Sequence, residues 1–121
     1  MTNLRKLTAK DVTIEVIAFH EDTEVQGNAM CSGDDMLDAE VENEIIRRLG
    51  IGDVWAWCVV EVRVLWNGFT GSDYLGACSY VDESDFVVGG YYDDMLETAL
   101  EELNSEVRTS HASTSELLVT S

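Results

Sequence analysis

The chain has 121 residues, 45% of them hydrophobic, which is the size and composition of one compact domain with one core. Its 24 acidic residues outnumber its 7 basic residues and give a formal net charge of −17. Because phosphate groups repel so acidic a surface, the composition excludes direct binding to nucleic acid and to an anionic membrane surface.

The first predicted elements are a strand and a helix. Apolar side chains alternate over residues 12–19, which predicts a strand with one apolar face. After a polar loop, Ser32 is the expected N-cap of a helix, with Asp35 as the reciprocal capping acid. This helix is amphipathic and stops at Gly50. Its apolar positions recur every four residues: Leu37, Val41, Ile45 and Leu49.

A β-hairpin is predicted next. Residues 54–66 alternate as one long strand, residues 67–71 form the turn, and residues 73–81 return as an antiparallel strand. That register places Cys78 near Val60. The sequence therefore predicts two neighbouring strands of one sheet.

The last part of the chain is predicted to hold a helix and a tail. An acidic connection over 82–90 leads to a second amphipathic helix over 92–108. Seven of the thirteen residues in 109–121 are Ser or Thr, which predicts a flexible tail. We therefore expect a single domain over 1–108.

The order of these elements, β-α-β-β-α, predicts an α+β fold. It favours a largely antiparallel three-stranded sheet with two amphipathic helices packed on one face. The other face would expose Trp55 and Trp57, which a loop or a partner would have to cover. The expected core residues are Leu37, Val41, Ile45, Val60, Val62, Leu96, Leu100 and Leu103.

The sequence offers little for catalysis. Cys31, Cys58 and Cys78 lack paired CxxC spacing and are expected to be reduced and mostly buried, with a cross-strand disulfide between Cys58 and Cys78 as the alternative. His20 and His111 are not placed for a triad, and nucleophile-elbow, Walker and GxGxxG motifs are absent. We therefore expect no enzymatic activity and no cofactor.

Two acidic runs could in principle hold a divalent cation, but neither has the spacing of the twelve-residue calcium loop. Acids in the first turn of a helix also stabilise the helix dipole, which explains them without a metal. We therefore expect no metal site. The residues concerned are Asp34, Asp35 and Asp38, and Asp82, Glu83, Asp85, Asp93 and Asp94.

Acidic residues recur at i, i+4 spacing along both predicted helices. Each step advances about 6 Å along the helix, so two adjacent rows would approach the charge density of a DNA strand. Like charges at this spacing destabilise a helix by about 0.2–0.5 kcal/mol per pair, which favours a role outside folding. A merely solubilising surface is the alternative. The candidate partner-binding residues are Asp34, Asp38, Glu40, Glu42, Glu44, Asp93, Glu97, Glu101 and Glu102.

A resemblance covers residues 11–105. Its motifs are Gly27-Asn-Ala-Met30, Ser32-Gly-Asp-Asp35, Trp55-Ala-Trp-Cys58, Gly76-Ala-Cys-Ser-Tyr80 and Gly90-Tyr-Tyr-Asp-Asp-Met95. Through them the chain resembles small acidic proteins of unassigned function carried by bacteriophages and mobile elements. In character it is similar to DNA-mimic anti-CRISPR and antirestriction proteins. Those proteins share acidity and size rather than a motif, so the resemblance implies no site residue.

These features lead to two functional hypotheses. The first is a non-enzymatic DNA mimic that inhibits a bacterial defence complex by binding its basic nucleic-acid-binding surface. The alternative is a small protein–protein interaction module that uses exposed aromatics, Trp55 and Trp57, although a place in the core or at a dimer face also explains both side chains. With neither a membrane span nor a signal-peptide core in the sequence, we expect the protein in the cytoplasm of the host bacterium. The oligomeric state stays open.

Overall fold

The structure is a computed structural model that describes residues 5–120, and for residues 111–120 it describes the backbone alone. Within this part of the chain, three strands and three helices follow one another, and a 3-10 turn precedes the second strand. They are β1 (Thr13–His20), α1 (Asp35–Gly50), the 3-10 turn (Val54–Ala56), β2 (Cys58–Trp66), β3 (Phe69–Cys78), α2 (Glu83–Val88) and α3 (Tyr92–Thr120). The α+β class is confirmed, with α2 as an additional helix that the sequence did not predict.

The sheet is antiparallel, in the order β1-β2-β3. The hairpin turn consists of Asn67 and Gly68, whose φ angles are 51° and 85°. Two successive residues with positive φ form the turn that suits the twist of a hairpin, and Asn-Gly adopts it readily. The turn is therefore tighter than predicted, and β3 begins at Phe69 rather than at residue 73.

One face of the sheet is covered by α3, which packs on β2 and β3. The inward side chains of β2, Val60, Val62 and Val64, are fully buried there. At Gly71 the backbone of β3 lies so close to α3 that a Cβ would be 2.7 Å from the Leu103 backbone nitrogen. A glycine at this position lets the strand and the helix approach each other.

The first helix packs elsewhere. Ile45 of α1 lies in a cluster with Ala56 and Trp57, and α1 packs mainly on the 3-10 turn. The expectation that two helices share one face of the sheet is therefore not confirmed. The reason is the turn itself, because Asp53 caps it and accepts a hydrogen bond from the Trp55 backbone nitrogen at 3.2 Å. Residues 54–56 thus form a turn instead of the start of β2, and α1 packs on this turn.

The turn also affects the exposure of Trp55 and Trp57, the two tryptophans assigned to the open face. Trp57 is 3% exposed, and its indole nitrogen donates to the Thr23 carbonyl at 2.7 Å. Trp55 is half-buried, with its ring centroid 6.2 Å from that of Phe86. Of the alternatives left open for this face, coverage by a loop is the one found at Trp57, and the proposed use of both tryptophans as exposed aromatics is not confirmed.

Half of the predicted core is buried. Val41, Leu96 and Leu100 are only partly buried, and Leu37 is 41% exposed. Leu37 lies in the first turn of α1, whereas the cluster around Trp57 uses the later turns of that helix. The buried members of the predicted core are Ile45, Val60, Val62 and Leu103.

Two helix ends differ from the prediction. The N-cap of α1 is Asp34 rather than Ser32, because the Asp34 carboxylate accepts from the backbone nitrogens of Met36 and Leu37 at 3.1 and 3.2 Å. The other difference is that α3 continues past residue 108 to Thr120, through the expected tail. Neither Gly nor Pro occurs over 92–120 to stop the helix. None of the helices in the described part of the chain is long and apolar enough to cross a membrane.

Candidate functional site

Among the described helices, α3 carries the largest set of exposed acidic residues without an ion pair. We call its six acidic residues the α3 acidic surface: Asp93, Asp94, Glu97, Glu101, Glu102 and Glu106. All six are exposed. The ion pairs found among the described residues all lie elsewhere, on Arg5, His20, Arg47, Arg48 and Arg63. The α3 acidic surface is therefore free of neutralising partners within the described structure.

The core stripe of α3 sets the direction of these carboxylates. Met95, Ala99 and Leu103 face the sheet and are 0–4% exposed. Acids on the remaining faces of the helix therefore point to solvent, and Glu97 and Glu101 follow one another at a step of about 6 Å along the axis. The spacing in the sequence predicts this row, and the packing of α3 makes it accessible.

The candidate residues of α1 have local bonding partners. Asp34 caps the helix, as described above. The Asp38 carboxylate accepts from the Ser32 hydroxyl at 2.6 Å and from the Ser32 backbone nitrogen at 3.1 Å. Glu42 accepts from the Gly27 backbone nitrogen at 2.6 Å. Asp38 and Glu42 hold the loop before α1 against the helix, and Asp34 caps it, so all three have structural roles.

Two further candidates on α1 differ from each other. Glu44 accepts two hydrogen bonds from the Arg47 guanidinium, at 2.9 and 2.6 Å, and these bonds lower the pKa of Glu44. Glu40 is exposed and has no ion-pair partner in the described residues. Of the five candidates on α1, Glu40 alone resembles the carboxylates of the α3 acidic surface.

The structure does not bring the two acidic helices side by side. In the described part of the chain, α1 packs mainly on the 3-10 turn, whereas α3 packs on β2, β3 and α2. The acidic residues of α1 and those of α3 thus form two separate surfaces. Sequence spacing defines a row within one helix, but it carries no information on which helices are neighbours.

The acids considered as metal ligands also serve as helix caps and turn acceptors. Asp82 caps α2 and accepts from the Asp85 backbone nitrogen at 3.0 Å, and Asp85 accepts from the Val81 backbone nitrogen at 2.9 Å. Within the described residues, no group of three or more His, Cys, Asp or Glu side chains could hold a metal ion. His20 is exposed, 3.7 Å from Asp22, and the His111 side chain lies outside the described part of the structure.

Sequence reasoning missed a charged cluster on the sheet face that α3 leaves open. Glu61 is 2% exposed, and its carboxylate accepts from Arg63 at 3.0 and 2.9 Å and from the Ser72 hydroxyl at 2.7 Å. The hydrogen bonds from Arg63 lower the pKa of Glu61. The available signal was a pair of opposite charges two residues apart on one strand, which places both on the same face.

The same open face carries two exposed aromatic rings. Tyr74 is 60% exposed and Phe19 is 42% exposed. Tyr74 lies on β3 opposite Glu61 of β2, and Phe19 lies on β1 opposite Val59 of β2. Any aromatic contact surface on the sheet therefore consists of these two rings rather than of Trp55 and Trp57.

Comparison with known proteins gives no match among protein-family models, curated proteins or solved structures.

Proposed function

We propose that this protein is a non-enzymatic acidic DNA mimic. It binds the basic nucleic-acid-binding surface of a bacterial defence complex, of the anti-CRISPR or antirestriction type, and thereby inhibits it. Binding would take place in the host cytoplasm, where such complexes meet their DNA. The α3 acidic surface is the part of the molecule that makes this contact.

The observation that supports the proposal is that six exposed carboxylates on one helix take part in no ion pair in the described structure. Elsewhere the same chain neutralises acids, as Glu44 and Glu61 pair with Arg47 and Arg63. Like charges at i, i+4 destabilise a helix by about 0.2–0.5 kcal/mol per pair. Folding alone therefore favours a lysine at some of these positions, whereas a cationic partner favours carboxylates at all of them.

The spacing of the surface also suits a groove that binds DNA. Asp93, Glu97 and Glu101 follow one another at about 6 Å, about twice the 3.4 Å between phosphates of one strand. Asp94 and Glu102 add charge beside this row. One helix then presents charge at a density within a factor of two of a single DNA strand, and on a rigid support.

The test is inhibition of DNA cleavage by purified CRISPR effector complexes and restriction enzymes. We expect the protein to inhibit one or more of them, and the inhibition to weaken steeply as salt is raised, because exposed charges make the contact. Glu97→Lys with Glu101→Lys should weaken inhibition about tenfold or more while the far-ultraviolet circular dichroism stays unchanged.

The matched control is Asp22→Lys with Glu24→Lys, which makes the same change in net charge on an exposed loop. It should weaken inhibition much less, because only the local surface meets the groove. Equal effects of the two double variants would contradict the proposal in favour of a solubilising charge. A complex insensitive to salt would instead indicate the aromatic surface formed by Phe19 and Tyr74.

A further inference from the structure

Two cysteines lie opposite each other at the end of the hairpin formed by β2 and β3. Cys58 and Cys78 are register partners, and a register shift between Cys58 and Val60 brings them together. Their Sγ atoms are 3.9 Å apart, and both thiols are free. The predicted register places Cys78 near Val60. In the structure Cys78 lies opposite Cys58 instead, at the register shift.

The backbone geometry suits a covalent link. Residues directly opposite on antiparallel strands have Cβ atoms about 4.5–5.5 Å apart, close to the 3.5–4.5 Å of a disulfide. The two thiols already lie within hydrogen-bonding distance of each other, and the Cys78 thiol also donates to the Cys58 carbonyl oxygen at 3.2 Å. Side-chain rotation with a small strand adjustment is therefore enough to bring the sulfur atoms to bonding distance.

The two thiols differ in access and in acidity. Cys58 is fully buried, whereas Cys78 is partly exposed. The hydrogen bond from the Cys58 thiol lowers the pKa of Cys78, and the same contact, together with burial, raises the pKa of Cys58. Because the thiolate is the nucleophile in disulfide exchange, Cys78 is the member of the pair equipped to react with an external molecule.

We propose that Cys58 and Cys78 form an oxidisable pair that exchanges with low-molecular-weight disulfides, with Cys78 reacting first. The Cys78 thiolate attacks one sulfur of the small disulfide, forms a mixed disulfide and releases one thiolate. Cys58 then gives its proton to solvent and attacks Cys78 Sγ, which releases the second thiolate. The pair loses two electrons, the small disulfide gains them, and the product is a bond that links β2 to β3.

The third cysteine provides an internal reference. Cys31 is exposed, in the loop before α1, and is free. It is able to form a mixed disulfide but has no cysteine partner in the described structure. Reaction at Cys31 therefore reports only that an exposed thiol is accessible to the reagent. Formation of a Cys58–Cys78 disulfide reports in addition that the two thiols are close enough to join.

The experiment treats the folded full-length protein with oxidised glutathione, blocks the remaining thiols and digests the product with trypsin. Cleavage at Arg63 separates Cys58, on residues 49–63, from Cys78, on residues 64–108. We expect these two peptides to be joined by a disulfide that dithiothreitol removes. The oxidised protein should melt about 5–12 °C higher than the reduced protein, because the link restricts the unfolded chain.

Two variants test the order of reaction. Cys58→Ala should accumulate glutathione on Cys78, because the second step is lost. Cys78→Ala should leave Cys58 at least about tenfold slower to react than Cys78 in the first variant, because Cys58 is buried. If a variant fails to fold, the proposal is still tested by whether the unsubstituted protein forms the Cys58–Cys78 disulfide. Full reaction at Cys31 with no joined peptides would overturn the proposal, as would glutathione on Cys58 before Cys78.

Discussion

Replacing Arg63 by methionine should destabilise the protein by about 2–4 kcal/mol at neutral pH. Arg63 donates two hydrogen bonds to the carboxylate of Glu61, and Ser72 donates the third. Methionine keeps the apolar stem of the arginine and removes both donors. The Glu61 carboxylate would then be buried without the two hydrogen bonds from Arg63, while the one from Ser72 remains.

The magnitude follows from these contacts. Hydrogen bonds to a charged group contribute about 1.5–3 kcal/mol each, so loss of two sets an upper range of about 3–6 kcal/mol. The Arg63 side chain is 34% exposed, so water takes over part of its role after substitution. The expected loss is accordingly reduced to the value given above.

The pH dependence has a definite sign. The hydrogen bonds from Arg63 lower the pKa of Glu61 in the folded protein. The pair therefore contributes stability above the unfolded pKa of about 4.3, and this contribution is lost as the pH falls through the lower folded pKa. Loss of the hydrogen bonds from Arg63 should leave the pKa of Glu61 higher in the variant than in the parent. The difference between the variant and the parent should then shrink on acidification, as Glu61 becomes protonated in the variant.

The assay is urea denaturation of both proteins at neutral and mildly acidic pH. Arg47→Met is the matched control, because Arg47 also donates two hydrogen bonds to a glutamate, Glu44, but both side chains are more than half exposed. It should change stability by at most about 1 kcal/mol. Equal losses in Arg63→Met and Arg47→Met, or a difference that grows at acidic pH, would refute the reasoning.

Two further predictions concern packing. Gly71→Ala should destabilise the protein by about 3 kcal/mol in chemical denaturation, because its Cβ would meet the backbone of α3, whereas Gly90→Ala has open space and should be nearly neutral. Leu103→Ala should cost about 2–5 kcal/mol, because Leu103 is fully buried. Leu37→Ala, at a position 41% exposed, should cost less than about 1 kcal/mol by the same method, and equal losses would contradict the described core.

The sheet could be predicted from the sequence because its information is local. Alternation along β1 and β2 gave both strands, and Asn67-Gly68 gave the hairpin. The error at Val54–Ala56 had a local cause as well, since the apolar residues of the strand pattern continue through this segment. The Asp53 carboxylate caps a 3-10 turn in this segment. The spacing of apolar residues carries no information about such a cap.

The helices show where local information ends. The spacing of Met95, Ala99 and Leu103 predicts which side of α3 is buried, and the acids on the other side follow from it. The roles of Asp38 and Glu42 could not be predicted, because their partners lie in a loop whose path depends on packing. The sequence thus identified acidic rows on both helices, but its candidates omitted Asp94 and Glu106, and it did not distinguish carboxylates with structural partners from carboxylates without them.

That distinction bears directly on the proposed function. Asp93 and Asp94 lie in the first turn of α3, where the helix dipole accounts for acids, but Glu101 and Glu102 lie beyond it, where the dipole has no effect. A surface selected only for solubility needs net charge, and it does not need the charge to be concentrated on one helix. In this chain Arg47, Arg48 and Arg63 pair with acids elsewhere, while none of the described ion pairs involves the six acids of α3. Charge concentrated in this way favours a cationic partner over a general solubilising role.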